Sequence, residues 1–568
     1  MTYRICVVLD HLLYLYERPP GLPLTGANLS TAALLRAVVN DPDVERLEIF
    51  LPPVVLAHGE LVAQALGQFV PEDRLGVVMV ASTFNIPEVF SDGAPRVFLC
   101  LDLADFAKAR YLRDRFARGP MPIHCDTHGI DCQLHVPALR QALAIDGRDY
   151  GSNDVVTALS ESNRTAIEHI ILLTMKARNS APTVVVVRRW VDCQVFKPAS
   201  VGAQRDARRR WGLPVDGRIV LYFGRINAHC KADPLPLLRA FAAVRRDGDL
   251  LVFAGPCYPE AMADMILAYA KECGLEGDVR IIGARSGIDP ADRPSVYAAA
   301  DLVVVLGDSI TEGLGNVVLE AMASGLPVIA ADWNGYRDLV MEDGNSSGDA
   351  VTGKLVPTWW LGATRDLGEL SPIAMRNGDC IALGTQVVLD EAALAKGLLH
   401  YLRGVMAAAE HGSNGRDRAK YFDRHSIMMQ RKGLWGLALK RAEGCTYSGL
   451  AGEGPFYYTD WFSHYATHRD LATTEVRGRG ACQLMVHPEL APLLSAELFD
   501  RLGRALNRDR DEQWWSLPKV LAELEAAGCA RASVLLHLGA LCHSGGAELR
   551  EVSIAAALRA DDPAKPVV

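Results

Sequence analysis

The stretch ITEGLGNVVLEAMASGLPVIAAD, Ile310–Asp332, places Glu312 and Glu320 on either side of a Gly-x-Gly turn and the first turns of the helix that follows. A helix start attracts anions, because its unpaired N–H groups and its dipole both favour negative charge. Carboxylates are anions themselves. Either both glutamates are ordinary solvated side chains, or they hold the uncharged part of a ligand whose charged part rests on the turn.

Working outward, short apolar runs alternate with helical stretches. The first series is Ile5–Leu9, Leu47–Leu51, Val77–Val80, Val97–Leu101, Val155–Leu159 and Val184–Val187. The second is Ile219–Phe223, Leu250–Ala254, Val279–Ile282, Leu302–Leu306 and Val328–Ala331. Continuous Val/Ile/Leu runs of about five residues predict parallel strands covered on both faces, and their alternation with helices predicts doubly wound α/β domains. The series part near Phe196–Pro198, which gives a first domain at 1–198 and a second at 199–420. Residues 421–444, with the amphipathic Ile427–Arg441, are read as a helix packing back on the first domain. Residues 445–568 are read as a Gly-rich linker and a mainly helical extension, in which Ser516 before LPKVLAELEAAG marks a helix start.

Composition narrows the function. The 568 residues are 49% hydrophobic and 22% charged, an ordinary globular balance that supports several domains. The net charge of −9 argues against a nucleic-acid partner. The basic run Arg205–Arg210 is read as a solvated helix face. No segment reaches the roughly 18 apolar residues of a membrane span, and Asp10 and His11 interrupt the apolar N-terminus, so no leader is expected. Thirteen cysteines without a C-x-x-C pair predict free thiols and a cytoplasmic protein.

Ligands of doubly wound domains bind beyond the carboxyl ends of the strands. Three features fall there. Strand Ile219–Phe223 runs into Gly224, Arg225 and Lys231, two cations suited to a diphosphate. Strand Leu302–Leu306 leads to TEGLGN, where Gly313 and Gly315 allow backbone to approach an anion and a helix begins near Gly315 or Asn316. Glu320, about one turn into that helix, suits a pair of sugar hydroxyls, as carboxylates do with ribose. The plain alternatives are surface cations on a loop and a solvent-facing glutamate.

The phrases FGRINAHCK (Phe223–Lys231) and EGLGNVVLEAMASGLPVIAADWNGYRDLV (Glu312–Val340), with Glu312 and Glu320 in an E-x7-E pair, resemble the GT-B retaining glycosyltransferases of the family-4 type. VDCQVFKP (Val191–Pro198) is similar to the segment ending their first domain, and VTGKLVP (Val351–Pro357) to the stretch after their donor site. The resemblance spans 1–444 and is strongest over 219–360. It implies two Rossmann-like domains facing a cleft, the first on the acceptor side and the second binding the donor.

The donor would be a nucleoside-diphosphate sugar, used with retention and with no cofactor or metal. Arg225 and Lys231 would bind the diphosphate, and the backbone of Gly313, Leu314, Gly315 and Asn316 would cap the distal phosphate. Glu320 would hold the ribose, Glu312 the transferred sugar, and Ile282–Gly283 would receive the base. The acceptor stays open between glycan, lipid, small molecule and protein, and the implied location is cytoplasmic or peripheral at the inner face of a membrane.

On the acceptor side, PLTGANLSTAALLRAVV (Pro23–Val39) places Gly26 at a turn before a helix starting near Ser30, although the family's usual double glycine is absent. MPIHCDTHGIDCQLH (Met121–His135) offers His128, and after it His124, for the histidine that in this family touches the transferred sugar. A metal row of His124, His128 and Cys132 at helical spacing is the alternative, as is a structural role. Trp359 and Trp360 are read as packing against the sheet, with an acceptor platform or a dimer contact as alternatives. Residues 457–568 match nothing in the family, and an oligomerisation or partner role is the expectation there. Two other functions remain open: a nucleotide-sugar epimerase or hydrolase of the same fold, and a non-catalytic scaffold.

Overall fold

The computed structural model describes residues 2–10, 12, 15, 26–127, 153–174, 181–227, 231–307, 309, 312–343, 348–360, 387–445, 474–478, 494–507, 513–543 and 547–551. His128, Cys132 and His135 lie outside the described residues.

Seven parallel strands form the first sheet: β1 (Tyr3–Val8), β2 (Val44–Leu51), β3 (Val78–Ser82), β4 (Arg96–Cys100), β5 (Ile123–Asp126), β6 (Val155–Ala158) and β7 (Thr183–Val186), in the order β3-β2-β1-β4-β5-β6-β7. Six form the second: β8 (Ile219–Phe223), β9 (Leu250–Ala254), β10 (Val279–Ile282), β11 (Leu302–Val305), β12 (Val328–Ala331) and β13 (Gly353–Val356), in the order β10-β9-β8-β11-β12-β13. Both orders reverse beside their first strand, which opens a crevice at the carboxyl ends. Every residue of β8, β9, β11 and β12 is buried, as strands covered on both faces require. Two doubly wound domains were expected, and two are found; β5 and β13 are strands that the apolar runs do not announce.

Several readings need correction. The described helix Gly26–Val39 begins at Gly26, so Gly26 and Ser30 are both helical rather than turn and helix start. In helix Val201–Arg210 Arg209 and Arg210 are exposed, but Arg208 is buried and bonds to Ala299, Val215 and Asp301, so that face is only partly solvated. Trp359 lies on Thr358–Trp360, which pairs antiparallel with Val387–Leu389, and it is 52% exposed instead of packed. His124 sits on β5, so a helical metal row fails at its first member, and no group of three metal-ligating side chains occurs among the described residues. The extension holds helices Ala496–Leu506, Leu517–Ala526 and Arg531–His543, as expected. It adds a three-stranded antiparallel sheet of Thr474–Gly478, Trp515–Ser516 and Ala547–Glu551. Among the described residues no helix is long and apolar enough to cross a membrane.

Helix Arg424–Ala442, capped by the Asp423 carboxylate on the Ser426 N–H, crosses back to the first domain. Trp435 is fully buried there among β1 and β4 side chains, edge-on to Tyr3 and to His124. Beside it Arg431 reaches the carboxyl end of β5 and donates to Asp126 at 2.7 Å, where Thr157 of β6 also donates at 2.6 Å. Burial alone would raise the Asp126 pKa, but Arg431 and the hydrogen bond to His124 outweigh it and hold the carboxyl well below its ordinary range. Burial lowers the pKa of His124, Asp126 opposes this, and Arg431 adds to it.

Two outcomes follow from that cluster. Arg431→Ala leaves Asp126 buried without its main counter-charge, and a loss of about 3–5 kcal/mol is expected. Hydrogen exchange should localise it to 123–126 and 424–442; unchanged protection there would refute the anchor. His124, with a folded pKa below its unfolded value near ~6.5, contributes stability that is present above that pH and lost as pH falls through the folded pKa. His124→Gln should therefore flatten the decline in denaturant midpoint on acidification just below pH ~6.5. An unaltered pH profile would show that other groups carry it.

Candidate functional site

Beyond β8 the chain turns through Gly224 and Arg225, and Ile226 is stitched to the loop after β9 by bonds to Pro256 and Tyr258. Arg225 is exposed and makes no ion pair with a described residue, which leaves its guanidinium available to a ligand. The Lys231 backbone N–H closes the following turn on the Asn227 carbonyl at 3.1 Å, and its Nζ lies 2.7 Å from Glu312 Oε2.

Beyond β11, Glu312 precedes the buried Gly313 and Leu314, and helix Asn316–Ala323 starts after Gly315. Gly315 has φ 92°, a left-handed conformation, and a Cβ there would come within 2.3 Å of the Tyr336 ring. Glycine is thus needed for both the turn and the packing beneath it. The first amides of the helix have no intrahelical acceptor and offer donors together with the dipole.

Glu320 is buried in the same helix and engaged on both oxygens. Arg293 bonds to them at 2.9 and 3.0 Å, and the Tyr297 hydroxyl donates at 2.7 Å. Burial raises the Glu320 pKa; Arg293 and Tyr297 pull it back without cancelling the rise. Arg293 itself lies over the Phe223 ring at the end of β8. Carboxylate oxygens accept more than one hydrogen bond each, so ligand hydroxyls can join this cluster. Glu320 is not the solvent-facing side chain of the plain alternative.

Ile282 ends β10 and is partly buried, and Gly283 follows it in the closed turn to Gly287. The donor-side residues therefore line one edge, with Lys231 and Glu312 in direct contact. From the first domain, helix Gly26–Val39 reaches this edge: Asn316 Nδ2 lies 3.3 Å from Ser30 Oγ, one turn along from Gly26. His124, the second choice for a sugar contact, is buried under helix Arg424–Ala442 instead.

Reading the sequence missed Arg293, Tyr297, Asn334 and Ser160. Asn334-Gly335 carries a recognisable turn signature; the others act across long separations and have no local signal. A cavity of about 450 Å³ at the domain junction, lined by Arg188, Arg418, Tyr421 and Gln430 among others, contains none of the predicted residues. The site is placed on chemistry rather than on that hollow, because both arginines already have acidic partners in Asp338 and Asp349.

Residues 217–359 match the family model described as "Glycosyl transferases group 1". The chain is 33% identical over 201 residues to a D-inositol 3-phosphate glycosyltransferase of Corynebacterium glutamicum, covering 34% of this chain and 46% of that one. It is 34% identical over 239 residues to the same-named protein of Kineococcus radiotolerans, covering 39% and 52%. The chain thus spans about half the length of the curated relatives it matches. Among solved structures, Anabaena HepE in complex with UDP aligns with a TM-score of 0.51 at 19% identity, over 76% of this chain and 99% of that one. Sucrose-phosphate synthase of Thermosynechococcus elongatus aligns with 0.51 at 19%, over 77% and 100%. The fold is accordingly GT-B, and Arg225, Lys231, Glu312 and Glu320 all lie within the 217–359 stretch that matches the glycosyl transferases group 1 model.

Proposed function

We propose that this protein transfers a sugar from a nucleoside-diphosphate sugar to an acceptor, with retention of anomeric configuration and without a metal. The observation that carries the reading is the 2.7 Å contact of Lys231 with Glu312, set against the start of helix Asn316–Ala323. A cation for phosphate, a carboxylate for hydroxyls and free amides meet there.

In the step proposed, the bond between the sugar's anomeric carbon and the distal phosphate oxygen breaks, and a bond to the acceptor oxygen forms on the same face. The acceptor's proton passes to the departing phosphate, so no separate base is needed. Arg225, Lys231 and the helix amides stabilise the charge that develops on the diphosphate. Glu312 orients the transferred sugar through its hydroxyls, and Glu320, held by Arg293 and Tyr297, orients the ribose. The relatives of Corynebacterium glutamicum and Kineococcus radiotolerans are named D-inositol 3-phosphate glycosyltransferases, which makes inositol 3-phosphate a sensible member of an acceptor panel. An epimerase or hydrolase would need an acid–base pair facing the sugar, and His124 is too deeply buried to supply half of one. A passive scaffold would have no use for a matched cation and carboxylate at the helix start.

Thermal shift against a panel of nucleoside diphosphates should show stabilisation by at least one of them. Lys231→Ala should weaken that ligand by about tenfold to a hundredfold, the worth of one charged hydrogen bond. Glu312→Ala should lower turnover by about a hundredfold or more while nucleoside diphosphate affinity changes little. Full turnover in Glu312→Ala would reject its role. Arg293→Ala and Glu320→Ala should each abolish the preference for the ribose nucleotide over its deoxy analogue, measured by calorimetry. Equal binding of the two by the unaltered protein would remove the ribose assignment.

A further inference from the structure

Ser160 and Asn334 belong to different domains and meet at their interface. Ser160, fully buried just after β6, accepts the Asn163 N–H at 3.1 Å and so caps helix Glu161–Thr174. Its hydroxyl donates to Asn334 Oδ1 at 2.8 Å. Asn334 Nδ2 in turn donates to the Glu312 carbonyl. A carbonyl oxygen only accepts, so the amide nitrogen must face Glu312 and the amide oxygen is left for Ser160. The bonds form one directed chain, from a helix start in the first domain to the backbone of Glu312 in the second, and each polarises the next.

The backbone is shaped for this contact. Among the described residues Asn334 is the one non-glycine residue with positive φ, at 46°, in a region Asn tolerates better than most. Gly335 lies so close to the turn that a Cβ would stand 2.4 Å from the Gly313 carbonyl oxygen. Trp333 Nε1 donates to the Ser309 carbonyl at 3.1 Å. The Glu312 turn is therefore suspended from Trp333–Gly335, and Ser160 ties Asn334 of that support to the first domain. Asp338 strengthens the same contact by accepting from the Glu161 N–H at 3.0 Å and from Arg188 at 2.7 Å.

We propose that Ser160 and Asn334 form an inter-domain latch, in which Asn334 is a positioning residue that sets Glu312 against the transferred sugar only while the first domain is docked. The catalytic consequence rests on the donor-site reading above; the mechanical one does not. The groups assigned to the nucleotide all come from the second domain, so the latch governs turnover rather than nucleotide affinity.

The test uses three variants of the full chain. Ser160→Thr keeps both the cap and the hydroxyl donor. Ser160→Asp keeps an acceptor for the helix cap but has no proton to give Asn334. Asn334→Gly keeps the left-handed backbone and removes the amide. Hydrogen exchange over 312–316 and 333–338 should quicken in Ser160→Asp and Asn334→Gly and stay unchanged in Ser160→Thr. UDP affinity by calorimetry should fall much less than kcat in the two latch-breaking variants and stay unchanged in Ser160→Thr, because Arg225, Lys231 and Glu320 are untouched and only the amides of 313–316 loosen. With UDP-glucose as donor, kcat should fall by about tenfold to a hundredfold in the two latch-breaking variants with KM little altered, the usual cost of a misplaced reacting group. Unchanged exchange at 312–316 in both latch-breaking variants overturns the proposal. So does an equal defect in Ser160→Thr, or a loss of UDP affinity that matches the loss of kcat. If the unaltered protein binds no nucleoside diphosphate, the donor reading fails on its own, and the exchange comparison still decides the latch.

Discussion

The positive end of helix Asn316–Ala323 constrains everything built around it. A helix start that is to receive an anionic ligand must not already be satisfied by the protein's own carboxylates. Glu312 and Glu320 are both near enough in sequence to compete for it. Each is matched by a cation from another element, Lys231 after β8 and Arg293 before β11. An unmatched carboxylate ~4 Å from a phosphate would oppose it by about 4 kcal/mol at a protein-surface dielectric. Pairing removes that opposition and leaves the dipole and the amides for the ligand. Arg225, with no described ionic partner, then supplies charge in excess of neutrality.

Holding such a turn in place takes support from below. Tyr336 is buried beneath Gly307 and Gly315, and a Cβ at either glycine would lie within 2.3 Å of its side chain. Trp333, Asn334 and Gly335 hold the outer side of the turn. The five residues after β12 thus act as a template for the loop after β11, as expected where two neighbouring parallel strands deliver their loops to one crevice.

Legibility followed the range of the interactions. The second sheet could be read almost strand by strand, because runs such as Ile219–Phe223 and Leu250–Ala254 are buried on both faces and contain nothing but apolar residues. Strand β5 was missed because its sequence is Ile-His-Cys-Asp, and a strand with a histidine and an aspartate does not look buried. It is buried because Arg431, 305 residues away, compensates Asp126. The glutamates, Lys231 and the glycine turn could be singled out by their places beyond strand ends, but roles came to them only through the family resemblance. The hydroxyl of Ser160 was not, since its partner Asn334 is 174 residues away and either residue in isolation is an ordinary surface type. Gly26 was placed at a turn by motif analogy, whereas it lies in the described helix Gly26–Val39, which is set by packing of Leu34, Leu35, Val38 and Val39 against the sheet.

The two halves of the cleft consequently differ in how they are completed. The second-domain edge is made by residues 217–359 from their own strands, loops and helices. The first-domain edge depends on parts of the chain outside that domain: Arg431 and Trp435 secure the carboxyl end of β5, and Asn334 and Asp338 secure the segment after β6. Removing those partners would leave the buried Asp126 with only the more distant Arg189, 3.9 Å away, as counter-charge, an arrangement costlier than the same group in water. Helix Arg424–Ala442 thus completes the first-domain edge from one side, as Asn334 completes it from the other.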